Sequence, residues 1–595
     1  VSPKKEMSQE MRLLLAFVLT TGVFLLWGVL FPPPKPTRPA TEPVPAPPAA
    51  AAPAPSTAAP RDPAPGGAAP PSAPAAAGQQ TGPPRTAAGE PATSAPASRA
   101  ATEEKIFAIE NDFYRVEFSN RGAAVRSWRL NQYKDSRAKP RTLDVVDQVA
   151  AGRLNGWPLA MALDDAQLEQ QISNALFVVS VAEPTVRAPR DITFEWSDGR
   201  AHVTKRLRFD HSYVVGIETS VLRDGRPLAH AIAWRGGFGD EPAYAHAERV
   251  RVLYRSAGAV HYLEHGSLGQ PERRDQRLRE SSTFDYAGIE DQYFAAVFLP
   301  QGARAEELGA GLALWHWKLE AEKEVEKEKQ KLPVAEMAAG TTVPGPLSLR
   351  LFVGPKDVEV VSNLSPPMPE IVDFGWDWLE VFAKPLFAFL KWIYGYTSNY
   401  GWAIVLMTLA INVALFPLKV KSWRSMQKMQ KVMPEIQQIK AKYAKYSLTD
   451  PRKQEEQQQM MAVYKREGVN PVGGCLPMAL QMPIWFALYQ MLMSAIELRH
   501  APWIGWIHDL SAPDPYRILP IGMGVTMYVM QKMTPVTTPD PVQQKMMNIM
   551  PIMFGGIFIV SPVSSGLVLY ILTSNVIGIA QQWFLNKTSQ LPAKK

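Results

Sequence analysis

A single cysteine, Cys475, occurs in 595 residues. That excludes an intrachain disulfide and any metal centre built from clustered thiolates. A paired-carboxylate signature of the kind glycosidases use is missing, and so is the internal repeat expected of many carriers. Clean apolar runs are missing too from residues 402–585, where five apolar spans are short, rich in Met and dotted with Pro, Gly, Gln and Asn. Polar groups at bilayer depth are costly and usually face a water-filled cavity or a partner. Spans of this quality read as machinery for handling polar matter inside a membrane.

What is present is segregated along the chain. Lys4, Lys5 and Arg12 precede an uncharged stretch at 13–31, long enough to cross a ~30 Å hydrocarbon core at ~1.5 Å per residue. Cations before the span keep its N-terminus in the cytoplasm and export the chain beyond it, so residues 1–31 are expected to form a signal-anchor helix. Residues 32–103, nearly all Ala, Pro, Gly, Ser and Thr, cannot bury a core and read as a disordered tether. Over 104–360 the period becomes two. Tyr114, Val116 and Phe118 alternate with Arg115 and Glu117, and Ile192, Phe194 and Trp196 with Thr193 and Glu195, which predicts a mostly antiparallel, exported β sandwich. His261, Glu264 and His265 match H-x-x-E-H, but Gly258 and Gly266 leave no room for the helix such a zinc site needs, so no metal is expected. The Glu/Lys run at 320–329 reads as a solvated helix or loop.

Within 361–400, Trp378, Leu379, Phe382, Leu386, Phe389, Leu390 and Ile393 recur at helical spacing, as an interfacial amphipathic helix would. Residues 401–586 hold the five spans, at 402–418, 476–496, 518–531, 546–560 and 567–585. Between residues 419 and 467 twelve Lys and Arg stand against five Asp and Glu, an excess equal to the net +7 of the whole chain. By the positive-inside rule this segment is cytoplasmic, as is the tail at 587–595. Met426, Met429, Met433 and Ile436, a break at 447–451, then Met460, Met461 and Tyr464 predict a cytoplasmic helical hairpin at 419–469. Its Met seam reads either as the hairpin's own core or as a contact surface. Lys419, Lys421, Arg424, Lys428 and Lys431 are its candidate contact residues, for anionic lipid, ribosomal RNA or an acidic nascent chain alike.

Several motifs carry a family resemblance: Asn470-Pro471-Val472-Gly473-Gly474-Cys475-Leu476-Pro477, Gln481-Met482-Pro483-Ile484-Trp485, Trp506-Ile507-His508-Asp509-Leu510, and Ser565-Gly566-Leu567-Val568-Leu569-Tyr570 with Ser574-Asn575. The chain resembles the YidC membrane protein insertases of the Gram-negative type. The resemblance implies a mixed fold, with a β supersandwich followed by a five-helix transmembrane bundle enclosing a hydrophilic groove. It implies no enzyme activity and no cofactor. It also implies a bacterial inner-membrane location, nascent integral membrane proteins as substrates, and action alone or beside the Sec translocon, with accessory subunits, the ribosome and membrane lipids as further partners. Groove candidates are Thr408, Asn412, Gln481, Gln490, Tyr570, Thr573, Ser574 and Asn575. The amides and hydroxyls among them, Asn412 apart, read equally well as helix-to-helix hydrogen bonds. Where the family carries Arg or Lys five residues before the Pro that ends its second helix, this chain has Asn412 before Pro417. Hydrogen bonding at Asn412, or Lys419 at the groove mouth, is expected to substitute. Ile571 stands where an aromatic residue is usual, and two extra residues separate Pro562 from Ser565. The competing reading is a membrane-anchored carbohydrate-binding or glycan-modifying β domain.

Overall fold

The computed structural model describes residues 98–589 apart from 138–139, 241–249, 265–266, 270–277, 281–283, 302–312, 326–327, 376, 447–449, 470–475, 535–540 and 562. The expected anchor, most of the tether, His265, the Asn470-to-Cys475 motif and the last six tail residues lie outside the described residues.

Alternation in the sequence becomes alternation in burial. Strand Arg190–Ser197 turns Ile192, Phe194 and Trp196 inward, and Ala201–Phe209 turns Val203, Leu207 and Phe209 the same way. The longest sheet runs in the order Ala259–Leu263, Arg251–Ser256, Tyr286–Glu290, Phe294–Pro300, Leu347–Pro355, Val214–Arg223, Ala201–Phe209, Arg190–Ser197, Val178–Val179. A five-stranded sheet, ordered Thr142–Asp144, Ala124–Lys134, Tyr114–Ser119, Ile106–Glu110, Thr185–Arg187, packs on it through Phe107 and Phe118, whose rings meet Phe194 and Phe209 at 5.9–6.0 Å. The third sheet is ordered Leu278–Glu280, Ala313–Val325, Glu328–Gly340, Ala231–Trp234, Ala160–Ala162. Trp234 from it lies 6.1 Å from Trp128 of the second sheet, so one aromatic core joins all three.

The described residues of the Glu/Lys run, 320–325 and 328–329, are strand rather than the expected helix or loop. Strands Ala313–Val325 and Glu328–Gly340 form a long hairpin whose register sets Glu322 opposite Lys331 and Glu324 opposite Lys329. Residues of unlike charge alternating at period two suit a paired ribbon. His261 lies in strand Ala259–Leu263 with its ring stacked on Tyr254 at 4.9 Å, and among the described residues no group of His, Cys, Asp or Glu could hold a metal ion.

Among the described residues three short helices decorate the β domain: α1 (Gln148–Leu154), α2 (Ala166–Asn174) and α3 (Val358–Ser362). Eight follow it: α4 (Asp377–Thr397), α5 (Tyr400–Ala414), α6 (Phe416–Tyr443), α7 (Arg452–Arg466), α8 (Leu476–Ser494), α9 (Ile518–Met533), α10 (Pro541–Val560) and α11 (Ser565–Ser589). Asn399 caps α5 by accepting from Trp402 N–H. Gly401 lies so close to Trp503 that an added Cβ would meet the indole at 2.1 Å. Pro417 has no N–H to extend the helical ladder, and α5 and α6 meet at a bend of 54°. Among the described residues one helix, Ser565–Thr588, is by itself long and apolar enough to cross a membrane, and α5 with α6 pass the same test as a bent pair. α6 and α7 close into a hairpin whose core is Met429, Val432, Met433, Ile436 and Val463, with Met460 and Tyr464 against it. Met429, Met433 and Met460 thus belong to the hairpin's own core, while Met461 of the same seam is exposed.

The β domain grips the end of α8 and the turn after it. Gln292 Nε2 donates to Met493 O at 2.6 Å, Ser494 Oγ donates to Asp373 O at 2.6 Å, and the buried pair Arg499–Asp240 closes at 2.7 Å. Inside the β domain Lys205 is wholly buried, and its Nζ donates to Ala123 O at 2.8 Å and Leu159 O at 2.6 Å. A neutral amine has the two N–H groups these carbonyls require, and burial pulls the Lys205 pKa down to about 7. An unfolded lysine titrates near ~10.4. Between those values the unfolded chain binds the extra proton, so the Lys205 contribution raises β-domain stability with pH, by at most about 1.4 kcal/mol per unit. Lys205→Met is expected to flatten that rise in denaturant unfolding followed by tryptophan fluorescence from pH 7 to 10; an unchanged slope would show that the proton is lost elsewhere.

Candidate functional site

The polar residues of α5 and α11 meet. Thr408 and Asn412, one turn apart on α5, are 0% and 3% exposed. Thr408 satisfies its hydroxyl within its own helix, donating to Ile404 O at 2.6 Å. Asn412 Nδ2 donates to Thr408 O at 2.8 Å and reaches Ser574 Oγ on α11 at 3.5 Å. The amide oxygen is thereby left facing the bundle, where Lys419 Nζ donates to it at 2.7 Å. The same ammonium donates to Gln581 Oε1 at 3.0 Å, and Gln581 Nε2 donates to the Asn412 main-chain oxygen at 3.1 Å. That carbonyl belongs to the last turn of α5, where helix ends leave acceptors without intrahelical partners. The seam continues through Trp423 Nε1, which donates to Asn586 Oδ1 at 3.2 Å, and Gln582, which donates to the same oxygen at 3.1 Å.

Lys side chains near a helix end usually extend toward water. Lys419 instead turns back along its chain, and among the described residues no carboxylate contacts it. Taking an ammonium out of water costs several kcal/mol, which two amide oxygens offset only in part because neither carries a formal charge. The seam can therefore accept an anionic group, and it has hydrogen-bonding capacity for neutral polar ones.

The structure brings together Thr408, Asn412 and Ser574, and with them Lys419, which the sequence placed both among the hairpin contacts and at the groove mouth. Tyr570 is buried one turn before Ser574, and Thr573 and Gln481 are half-buried on α11 and α8. Asn575 turns away from the seam, donating to Thr526 Oγ1 on α9 at 3.3 Å, which is the helix-to-helix alternative. Gln490 lies elsewhere. It lines a cavity of about 290 Å³ at the grip on the β domain, with Arg251, Lys356, Asp373 and Ser494. Its place near the end of α8, against Gly375, puts it beside the β domain. Lys421, Arg424, Lys428 and Lys431 are exposed on α6. Gln581 and Asn586 were missed, although Gln581 stands seven residues after Ser574 and so shares its helical face.

A β-rich domain followed by helices that hold a polar, cation-bearing seam defines a membrane protein that lodges polar groups among its helices. Two family models divide the chain between them: the YidC periplasmic domain matches residues 107–389 and the 60Kd inner membrane protein matches 392–593. The membrane protein insertase YidC of Paraburkholderia xenovorans is 31% identical over 504 residues, 82% of this chain and 85% of that protein. That of Wolinella succinogenes is 33% identical over 516 residues, 84% and 85% of the two chains. A crystal structure of an active YidC insertase with its first transmembrane domain resolved is 17% identical, with a TM-score of 0.31, covering 81% of this chain and 94% of that one. The chain belongs to the YidC membrane protein insertase family, an inner-membrane family that is not one of enzymes.

Gln581→Leu removes one acceptor from Lys419 and the donor to the Asn412 carbonyl. The expected outcome is a loss of about 1–3 kcal/mol, read as a lower midpoint in thermal unfolding of the detergent-solubilised chain. An unchanged midpoint would mean that water replaces Gln581 at no cost.

Proposed function

We propose that this chain inserts and folds integral membrane proteins by receiving the hydrophilic segment of a substrate along the α5–α11 seam, with Lys419 as the cation that meets it. The observation that carries this reading is the Lys419 ammonium lodged between the amide oxygens of Asn412 and Gln581 with no carboxylate of its own. A polar tail entering ~30 Å of hydrocarbon must give up water, and each unpaired group costs several kcal/mol. A seam of Asn, Ser, Gln and Lys supplies replacement partners partway across, and short helices thin the remaining barrier. The substrate's apolar segment then leaves sideways into lipid, driven by burial of apolar surface at roughly 25 cal/mol per Å². No bond is made or broken.

On this reading α5, α8, α9, α10 and α11 are the five spans, preceded by an anchor at 1–31, with both chain ends and the α6–α7 hairpin cytoplasmic and the β domain periplasmic. The chain works alone or beside the Sec translocon, and the ribosome and membrane lipids are further partners. Asn412, which lacks the charge usual at its position, serves as the acceptor that draws Lys419 inward. The family membership favours insertion over a glycan-binding role for the β domain.

Lys419→Gln keeps a hydrogen-bonding group and removes the charge. It is expected to lower insertion of substrates with acidic tails at least fivefold while neutral-tailed substrates insert normally, in proteoliposomes scored by protease protection. Asn412→Arg added to Lys419→Gln should restore the acidic substrates. Asn412→Arg alone keeps Lys419 and should leave insertion intact or improve it for acidic tails. Equal insertion of both substrate types by Lys419→Gln would overturn the role of the charge.

A further inference from the structure

We infer that the outer face of α6 is a docking ladder for the anionic headgroups of the bilayer surface next to α5. The inference rests on the membrane placement of α5 given above, and it concerns four cations that the insertion reading does not use. Lys421, Arg424, Lys428 and Lys431 are all exposed, and their spacing of three, four and three residues puts them on one stripe of α6. Among the described residues none of the four has an ion-pair partner, although Arg466 and Lys453 on the neighbouring α7 are paired with Glu435 and Glu456. The opposite face of α6 is already occupied: Trp423, Met429, Val432, Met433 and Ile436 are buried.

The stripe does not begin at Lys421. The exposed large apolar residues of α5 are Trp402, Leu406, Leu409 and Val413, again three or four apart. The same phase runs on through Pro417 into Lys421, Arg424, Lys428 and Lys431. One continuous face thus changes from apolar to cationic within two turns. That is the sequence of media met on leaving a bilayer, hydrocarbon and then phosphate. Val413 and Lys421 are roughly 12 Å apart along the helix, about the depth of a headgroup layer plus the reach of one long side chain. With the 54° bend at Leu415, the further ~15 Å of helix from Lys421 to Lys431 rises only about 9 Å along the α5 axis, close to one Debye length at physiological salt. All four cations therefore remain within the field of an anionic leaflet. Lys419, two residues before the ladder, turns the other way into the seam, so neighbouring lysines divide the two tasks.

The occupant is an anionic lipid surface; RNA and acidic proteins are the competing outcomes. The test uses the full chain in nanodiscs of phosphatidylcholine alone or with 30% phosphatidylglycerol, reading amide hydrogen exchange across residues 419–433. The expected result is at least threefold slower exchange with phosphatidylglycerol, abolished by 0.5 M NaCl and absent in Lys421→Gln/Arg424→Gln/Lys428→Gln/Lys431→Gln. The pair Lys421→Gln/Arg424→Gln alone should lose about half the effect and serves if the fourfold variant unfolds. Equal exchange in the two lipids, or a lipid effect that survives the substitutions, overturns the ladder. So does binding of a labelled ribosomal RNA hairpin that depends on these four residues while the lipid effect is missing. Lys419→Gln should retain the phosphatidylglycerol effect in full, so failure of the insertion reading and failure of the ladder give different results.

Discussion

An ammonium withdrawn from water must find oxygen atoms, and in a bundle of apolar helices oxygen is scarce. Asn412, Gln581, Ser574 and Asn586 are where this chain keeps it. The helices satisfy their own backbones, so each side-chain amide among them either ties two helices together or waits for something else. Asn575 takes the first course with Thr526. Asn412 and Gln581 do both, joining α5 to α11 through the Asn412 carbonyl and holding Lys419 between their amide oxygens. Exchanging any of them for an apolar residue would improve the match to lipid and remove the reason for the seam.

The β domain answers a different constraint. Its sheets close one aromatic core around Trp128, Trp234, Phe194 and Phe209, and it makes few but specific attachments to the helices. Buried charge is kept in a fixed pair, as with Arg499 and Asp240, whose carboxylate also accepts from Ser136 N–H at 2.9 Å. Removing one member of such a pair strands the other, so it holds its geometry more firmly than its small net energy suggests.

Much of this was legible in the chain, for reasons that differ by element. Strands with one wet face advertise themselves, as Arg190–Ser197 does, because alternation is forced by the pleat. The Met spacing of the hairpin was equally plain. The ribbon at 313–340 was not, since alternating Glu and Lys satisfies a helix pattern as readily as a strand pattern until the partner strand is known. Among site residues, Asn412 stood out because the resembled family carries Arg or Lys at that place before the Pro that ends its second helix. Gln490 interrupts an apolar run, yet it lies at the end of α8 where the β domain touches, and position along a helix does not reveal which neighbour arrives there. Lys419 was read both as one of a row of basic residues and as a cation at the groove mouth; the oxygens of Asn412 and Gln581 that receive it are what separate it from Lys421.

The grip of the β domain on α8 has a mechanical consequence. Gln292, Asp373 and Asp240 hold Met493, Ser494 and Arg499 over barely two turns of chain, and α8 also touches α11 and α6. A force applied sideways to the β domain is delivered to one end of α8 as to the handle of a lever. Because α8 also packs on α11, one wall of the seam, the β domain and the seam share a single rigid element.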